Sequence, residues 1–402
     1  MLASRRPAYA LAALILSIPF SFEHEILGTT ITLQKAVLLG VLAGLAGFGG
    51  AAKALRARPA PLLLGALGLY LAANALTLFD AAYPAAAIRE TLKVLEYAGI
   101  FVAAFCCRRL DPDDAPLVGA VALAAIAAAW SALAQEAIGA PSGLYIGAAI
   151  VPRIAGLLDG PNQLSAYAEI AIATLGAWSL VRRTSLLDTA LVSIACADVL
   201  TFSRAGLFGL AVVAVVLAIA GGRRAWSALR YGSIGIVAGL LGSAWWAIYA
   251  HTPGVLRVSL QPSLYAGGVG NRGELWRAAW RMWLDRPVLG VGAGNFELEL
   301  PRYGVFGVRT HANSWYLQSL AEGGIVLFAA TLALLAAIFA ALGGKQLLNR
   351  LRNGSPWIVA GFAASLALAL HQVVDYLVFY PKVGGSWWLL LGIAVATLSA
   401  RA

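Results

Sequence analysis

The sequence predicts an all-α polytopic membrane protein of about twelve transmembrane helices, and three observations carry that expectation. Hydrophobic residues fill 60% of the 402 positions and charged ones only 12%, with a mean hydropathy of +0.79, where a soluble domain carries roughly a quarter charged residues. Apolar stretches long enough to cross a hydrocarbon core of about 30 Å recur from end to end. The basic residues between them fall in clusters on one side of the expected bundle. The chain reads as one integral membrane domain, 1–402.

In chain order the spans are expected at 7–22, 31–50, 60–79, 88–107, 115–138, 162–181, 186–202, 204–221, 228–250, 313–343, 357–378 and 384–400. The first follows Arg5 and Arg6 as a signal peptide would. Its end, Ser17 to Phe22, offers no small-x-small cleavage site, so it is expected to stay as an uncleaved span. The remaining cationic clusters are Lys53/Arg56/Arg58, Arg108/Arg109, Arg182/Arg183, Arg223/Arg224/Arg230, Lys345/Arg350/Arg352 and Arg401. An excess of Lys and Arg marks cytoplasmic loops, which puts both termini in the cytoplasm. The formal charge of +10 is thereby spent on topology and not on a nucleic-acid surface, so no nucleic-acid partner is expected. Cys106, Cys107 and Cys196 have neither disulfide nor metal spacing.

The opposite side has short loops at 23–30, 80–84 and 379–385 and a medium one at 139–161. One long loop, 251–312, is inserted between the ninth and tenth spans and carries Arg257, Arg272, Arg277, Arg281, Arg286, Arg302 and Arg309. Long loops escape the charge rule, so targeting does not explain these arginines. Within the loop Asn271 can cap a helix, Glu274 stands where a capping box needs it, and Arg286-Pro287 ends the run, which predicts a helix over 272–285. Trp276, Trp280 and Trp283 then share one face, as in an amphipathic helix lying at a membrane interface.

Several residues could carry chemistry. Arg272 sits in the first turn of that helix, where free N–H groups already favour an anion and a guanidinium adds a phosphate fork; the alternative is a surface arginine. Arg204, in Thr201-Phe-Ser-Arg-Ala-Gly206, lies where two spans meet with almost no loop, so it is functional or snorkels to headgroups. His311 opens a long apolar helix, with Thr310 as a plausible cap. The helix start and the flanking arginines should lower its pKa and leave it neutral, able to take a proton from a hydroxyl; the alternative is a merely interfacial histidine. His371 and Asp375, four apart, are expected on one helical face near the outer end of the eleventh span, as a functional pair that binds substrate or as a structural one. Gly290-Val-Gly-Ala-Gly294 lacks a preceding strand and the nucleotide-loop spacing, so it reads as a turn. Glu297 and Glu299 lack His or Asp partners and stand among arginines, so no metal is expected, and no cofactor.

A transferase outside the cytoplasm needs a donor that arrives activated, such as a glycan on a polyprenyl diphosphate, and arginines can hold that diphosphate as it leaves. At this point the sequence resembles the O-antigen ligase and polymerase family. The likeness lies in Arg-Gly-Glu-Leu-Trp through Pro-Val-Leu-Gly-Val-Gly-Ala-Gly-Asn-Phe (272–296), in His-Ala-Asn-Ser-Trp-Tyr-Leu-Gln-Ser-Leu-Ala-Glu-Gly-Gly (311–324) and in Thr-Phe-Ser-Arg-Ala-Gly (201–206). The resemblance implies a GT-C-like glycosyltransferase of a Gram-negative inner membrane with its site facing the periplasm. It would move O-antigen from undecaprenyl diphosphate to lipid A core, with inversion. Carried over, Arg204 and Arg272 look like diphosphate binders and His311 like the catalytic base. Arg309 and Glu322 look like weaker electrostatic and orienting groups, and Asn313 and Asn162 like further substrate-binding positions. An O-antigen polymerase would use the same donor; the single compact basic loop favours a ligase. Two other classes remain open, a transporter of lipid-linked anions and a structural membrane partner. Against the former, no internal repeat is visible and the polar residues cluster at one face.

Overall fold

A computed structural model describes residues 6–21, 24–26, 29–47, 51–57, 59–138, 142–146, 149–249, 251, 254 and 272–399. It is helical throughout apart from two antiparallel hairpins, β1 (His24–Ile26) with β2 (Thr29–Ile31) and β3 (Ser142–Ile146) with β4 (Ala149–Arg153). These hairpins qualify the all-α expectation; each occupies a loop between apolar helices. The helices are α1 (Pro7–Ser17), α2 (Leu33–Ala46), α3 (Ala51–Leu55), α4 (Ala60–Leu76), α5 (Pro84–Leu110), α6 (Ala115–Ile138), α7 (Pro161–Ser179), α8 (Ser185–Leu200), α9 (Arg204–Gly221), α10 (Ala225–Tyr249), α11 (Arg272–Asp285), α12 (Phe296–Glu299), α13 (Trp315–Leu342), α14 (Leu347–Asn353), α15 (Pro356–His371) and α16 (Pro381–Ser399).

The helix starts follow local chemistry. Pro7, Pro84, Pro161, Pro356 and Pro381 open helices, where their missing N–H leaves nothing unpaired. Thr32, Thr184, Ser203, Ser314 and Ser355 accept from a first-turn backbone N–H, each such cap worth about 1 kcal/mol. A helix stands on every stretch expected to span. Five segments are long and apolar enough to cross a membrane by length and composition, Ala60–Phe79, Ala115–Glu136, Arg204–Tyr249, Trp315–Leu342 and Pro381–Leu398. Three apolar helices are shorter: Pro7–Ser17, Leu33–Ala46 and Pro356–His371.

Packing is close because small residues line the crossings. α5 runs along α16, α7 along α15, α4 along α13 and α8 along α10. At the last of these a Cβ on Gly235 would stand 2.4 Å from the Val192 carbonyl oxygen, and one on Gly239 2.7 Å from that of Cys196. This is how helices associate where lipid removes most of the hydrophobic drive.

Three expectations are corrected. α13 begins at Trp315 with Ser314 as its cap, so Thr310 caps nothing and His311 lies in the loop before the helix. α15 ends at His371 with the main chain of Gln372 and Asp375 bonded to the Trp315 N–H; Asp375 therefore stands in a loop and not one helical turn beyond His371. α13 is not continuous: at Gly324 (φ 58°, ψ −155°) the helix breaks. The groups freed there are met by the segment 287–292 that precedes α12. Val291 and Gly292 donate to the carbonyls of Ala321 and Glu322, and Ile325 donates to that of Pro287.

Candidate active site

The helix expected over 272–285 is α11; its cap residue Asn271 lies outside the described residues. Leu275, Ala278, Ala279 and Met282 form its buried stripe, packed with Phe296, Leu300, Ala312 and Ala321. Burying Leu275 and Met282 contributes about 1.5–3 kcal/mol each. The tryptophans lie off that stripe: Trp280 is 48% exposed and its ring sits 4.6 Å from that of Trp283. α11 thus fixes Arg272 at its start while a second apolar side looks outward.

The loop from Arg309 to Ser314 is held to the first turn of α13. Ala312 N–H donates to Gln318 Oε1 at 2.6 Å, and Asn313 adopts φ 50°, a left-handed conformation that Asn tolerates better than most residues. His311 is thereby turned into a cup of aromatic rings, 5.7 Å from Tyr376, 5.8 Å from Phe379 and 5.9 Å from Tyr380 between centroids. Its Nε2 faces the Tyr380 hydroxyl at 3.1 Å, and its Nδ1 accepts from the Asn313 N–H at 3.2 Å.

Burial lowers the His311 pKa below the usual histidine value, with Arg272 and Lys93 pushing the same way and Asp375 opposing them. The ring is neutral near pH 7, with burial and not a helix start as the main cause. Because a backbone N–H can only donate, the neutral ring in this arrangement carries its proton on Nε2 and gives it to Tyr380. To take a proton there, the ring must release the long contact to Asn313 and move its own proton to Nδ1. Tyr380 is pushed up to about 12, chiefly by burial, so its hydroxyl stays protonated.

Behind this cup lies a chain of polar groups from four parts of the sequence. Arg153, the last residue of β4, donates from Nε to the Thr201 carbonyl and from Nη2 to Asn162 Oδ1, both at 2.6 Å. Asn162 Nδ2 donates to Asp375 Oδ2 at 2.6 Å, and Asp375 Oδ1 accepts from Tyr376 N–H at 2.8 Å. His371 Nδ1 pairs with Glu169 Oε1 at 2.5 Å, with exposures of 1% and 0%; Asp198 is equally buried.

The structure thus brings His311, Asn313, Asn162 and Asp375 together, with Arg272 close enough to act on His311 electrostatically. Arg204 is the first residue of α9, exposed beside the Ser203 cap. Arg309 is exposed two residues before His311. Glu322 points inward: its Oε1 accepts from Phe296 N–H and Gln318 Nε2. It anchors the glycine turn, whose Gly290, Gly292 and Gly294 all have positive φ. His371 serves Glu169 and not Asp375. The sequence reading missed Glu169, Arg153, Tyr380 and Lys93. Glu169 had a signal, an acid alone in an apolar span; the other three had none, since only tertiary contact gives them a role.

Residues 189–332 match the sequence model of the family described as O-antigen ligase. The matched stretch holds Arg204, Arg272, Arg309, His311, Asn313 and Glu322, while Asn162, His371 and Asp375 lie outside it. Among curated proteins none matches the chain.

Proposed function

We propose that this chain, residues 189–332 of which match the O-antigen ligase family model, is an inverting glycosyltransferase that moves O-antigen from undecaprenyl diphosphate to lipid A core. The reading takes the twelve stretches expected from the sequence as spans of a Gram-negative inner membrane in a GT-C-like arrangement, with both termini cytoplasmic, and 251–312 as the periplasmic loop.

The observation that supports it best is His311: a neutral imidazole in an aromatic cup, facing a hydroxyl through Nε2, with Arg272 and Lys93 acting on it. Once the ring has released the Asn313 N–H and carries its proton on Nδ1, an acceptor sugar hydroxyl entering the cup takes the place of the Tyr380 hydroxyl at Nε2 and gives up its proton there. Its oxygen bonds to the anomeric carbon from the face opposite the leaving group, and the bond from that carbon to the diphosphate breaks with its electrons going to the diphosphate. Arg272 and Arg204, with Arg309 beside His311, supply the positive charge that stabilises this leaving group, the role a divalent ion fills elsewhere.

Purified protein in lipid, given undecaprenyl-diphosphate-linked O-antigen and lipid A core with EDTA present, tests the reading. Glycan joined to lipid A core is the expected product. Lengthening of lipid-linked chains alone would make the protein a polymerase, and passage of lipid-linked glycan across the bilayer without transfer would make it a transporter.

A further inference from the structure

Resting on the transferase reading above, the geometry points to Arg153 as a positioning residue for the reaction, acting on the His311 end of the site through Asn162 and Asp375. A carboxamide offers one oxygen that accepts and one NH2 that donates, and a guanidinium can only donate. With Arg153 Nη2 on one side, Asn162 must present its oxygen to Arg153 and its NH2 to Asp375. Arg153 therefore selects which way the amide faces. Its own place is fixed by the bond from Nε to the Thr201 carbonyl at the end of α8. The chain beyond it is held by Gln135, whose Oε1 accepts from the N–H groups of Ala155 and Gly156 at 2.9 and 2.8 Å.

Asp375 is the receiving end. One carboxylate oxygen takes the Asn162 NH2, the other takes the Tyr376 N–H, and its backbone oxygen takes the Trp315 N–H at 2.9 Å. Every acceptor face is thus set by a neighbour, and Trp315 is four residues from His311. The groups that face His311 are Asp375 as the negative charge, Arg272 and Lys93 as positive ones, and the phenols of Tyr376 and Tyr380. Asp375 is the group that offsets two cations at the ring, so its orientation matters to the proton step. Lysine at 153 could reach one of the two partners but not both, because it lacks the rigid fork.

The test compares wild type with Arg153→Ala, Arg153→Lys, Asp375→Asn and the double variant Arg153→Ala/Asp375→Asn, all in lipid nanodiscs. Two readouts are taken: the pH profile of glycan transfer, and the titration of the His311 ring by NMR on histidine-labelled protein, assigned with His311→Gln. Arg153→Ala is expected to lower turnover about tenfold to a hundredfold, as loss of an outer partner does at other sites. It should also move the His311 titration in the same direction as Asp375→Asn, toward lower pH. The lysine variant should recover part of both effects, and the double variant should move the titration no further than Asp375→Asn alone. A His311 titration unchanged in Arg153→Ala, with any rate loss matched by loss of folded protein, would overturn the proposal. If wild type transfers glycan to no acceptor, the transferase reading falls, and the NMR titration alone decides whether Arg153 orders the chain to His311.

Discussion

The His311 ring nitrogen Nε2 stands 3.1 Å from the Tyr380 hydroxyl, while Nδ1 of the same ring is occupied by the Asn313 N–H. On the transferase reading this is a base held engaged until the acceptor arrives, and the first prediction follows. His311→Ala should lower transfer by about 10²–10⁴-fold, the usual worth of a general base. Tyr380→Phe keeps the ring of the cup and removes only the hydroxyl, so it should cost less and show mainly in kcat. Initial rates at saturating donor check this, and a His311→Ala protein with the wild-type rate would remove His311 from the chemistry.

The acidic side of the pH profile follows from the same ring. Its pKa is lowered by burial, Arg272 and Lys93, and the neutral form is the one that accepts a proton. Activity should therefore rise with pH through a value below the ordinary histidine pKa of about 6.5. Arg272→Gln removes one cation that opposes protonation, so its acid limb should move to higher pH. A limb that stays in place would show that the titrating group is not His311.

Arginines that hold a diphosphate should be distinguishable from arginines that merely reach headgroups. If Arg272 and Arg204 hold the diphosphate, each alanine variant loses a charge-assisted contact worth about 1.5–3 kcal/mol, so the KM for the donor should rise or kcat fall roughly 10- to 100-fold. Lysine replacements should recover part of the loss, and EDTA should leave the wild type unaffected. Unchanged donor kinetics in both alanine variants would make them headgroup contacts.

Glu169 and His371 should act as a unit in stability. Removing one partner of a buried pair leaves the other uncompensated, at a cost of about 3–5 kcal/mol. His371→Ala should therefore lower the melting temperature in detergent sharply, whereas Glu169→Leu with His371→Leu should lie much nearer wild type. Equal melting temperatures for the single and double variants would show that the pair is not coupled.

The helices were legible because their signal is local: apolar length, proline starts and hydroxyl caps all lie within one stretch of chain. α11 was legible for the same reason, from its capping pattern and Arg286-Pro287. Of the candidate residues that the structure brings together, His311 and Arg272 stand out in the sequence by their type and place, and Asn162 and Asn313 by the resemblance alone. The end of α15 and the break in α13 were not. Both depend on backbone groups satisfied by distant partners: the Trp315 N–H bonded to Gln372 and Asp375, and Ala321 and Glu322 bonded to the loop at 291–292. Arg153 was invisible for a related reason. Nothing near it in the chain marks a guanidinium whose partners are Asn162 and Thr201.

The break at Gly324 makes a fifth prediction. A Cβ there would stand 2.3 Å from the Val288 carbonyl oxygen. The backbone, at φ 58° and ψ −155°, lies in a region open essentially only to glycine, at a cost of roughly 1–3 kcal/mol for other residues. Gly324→Ala should loosen the seating of 287–292, seen as faster proteolysis between α11 and α13 with the apolar helices still protected. Cleavage at the wild-type rate would show that the seating does not depend on this glycine.

That seating also bears on how the molecule can be recombined. The loop closes hydrogen bonds that the helix leaves open, and Glu322 reaches back to Phe296, so neither segment is complete alone. A chimera made to alter acceptor choice should move 286–326 as one cassette. A graft with its joint anywhere between the glycine turn and the Gly324 break would strand main-chain groups on both sides.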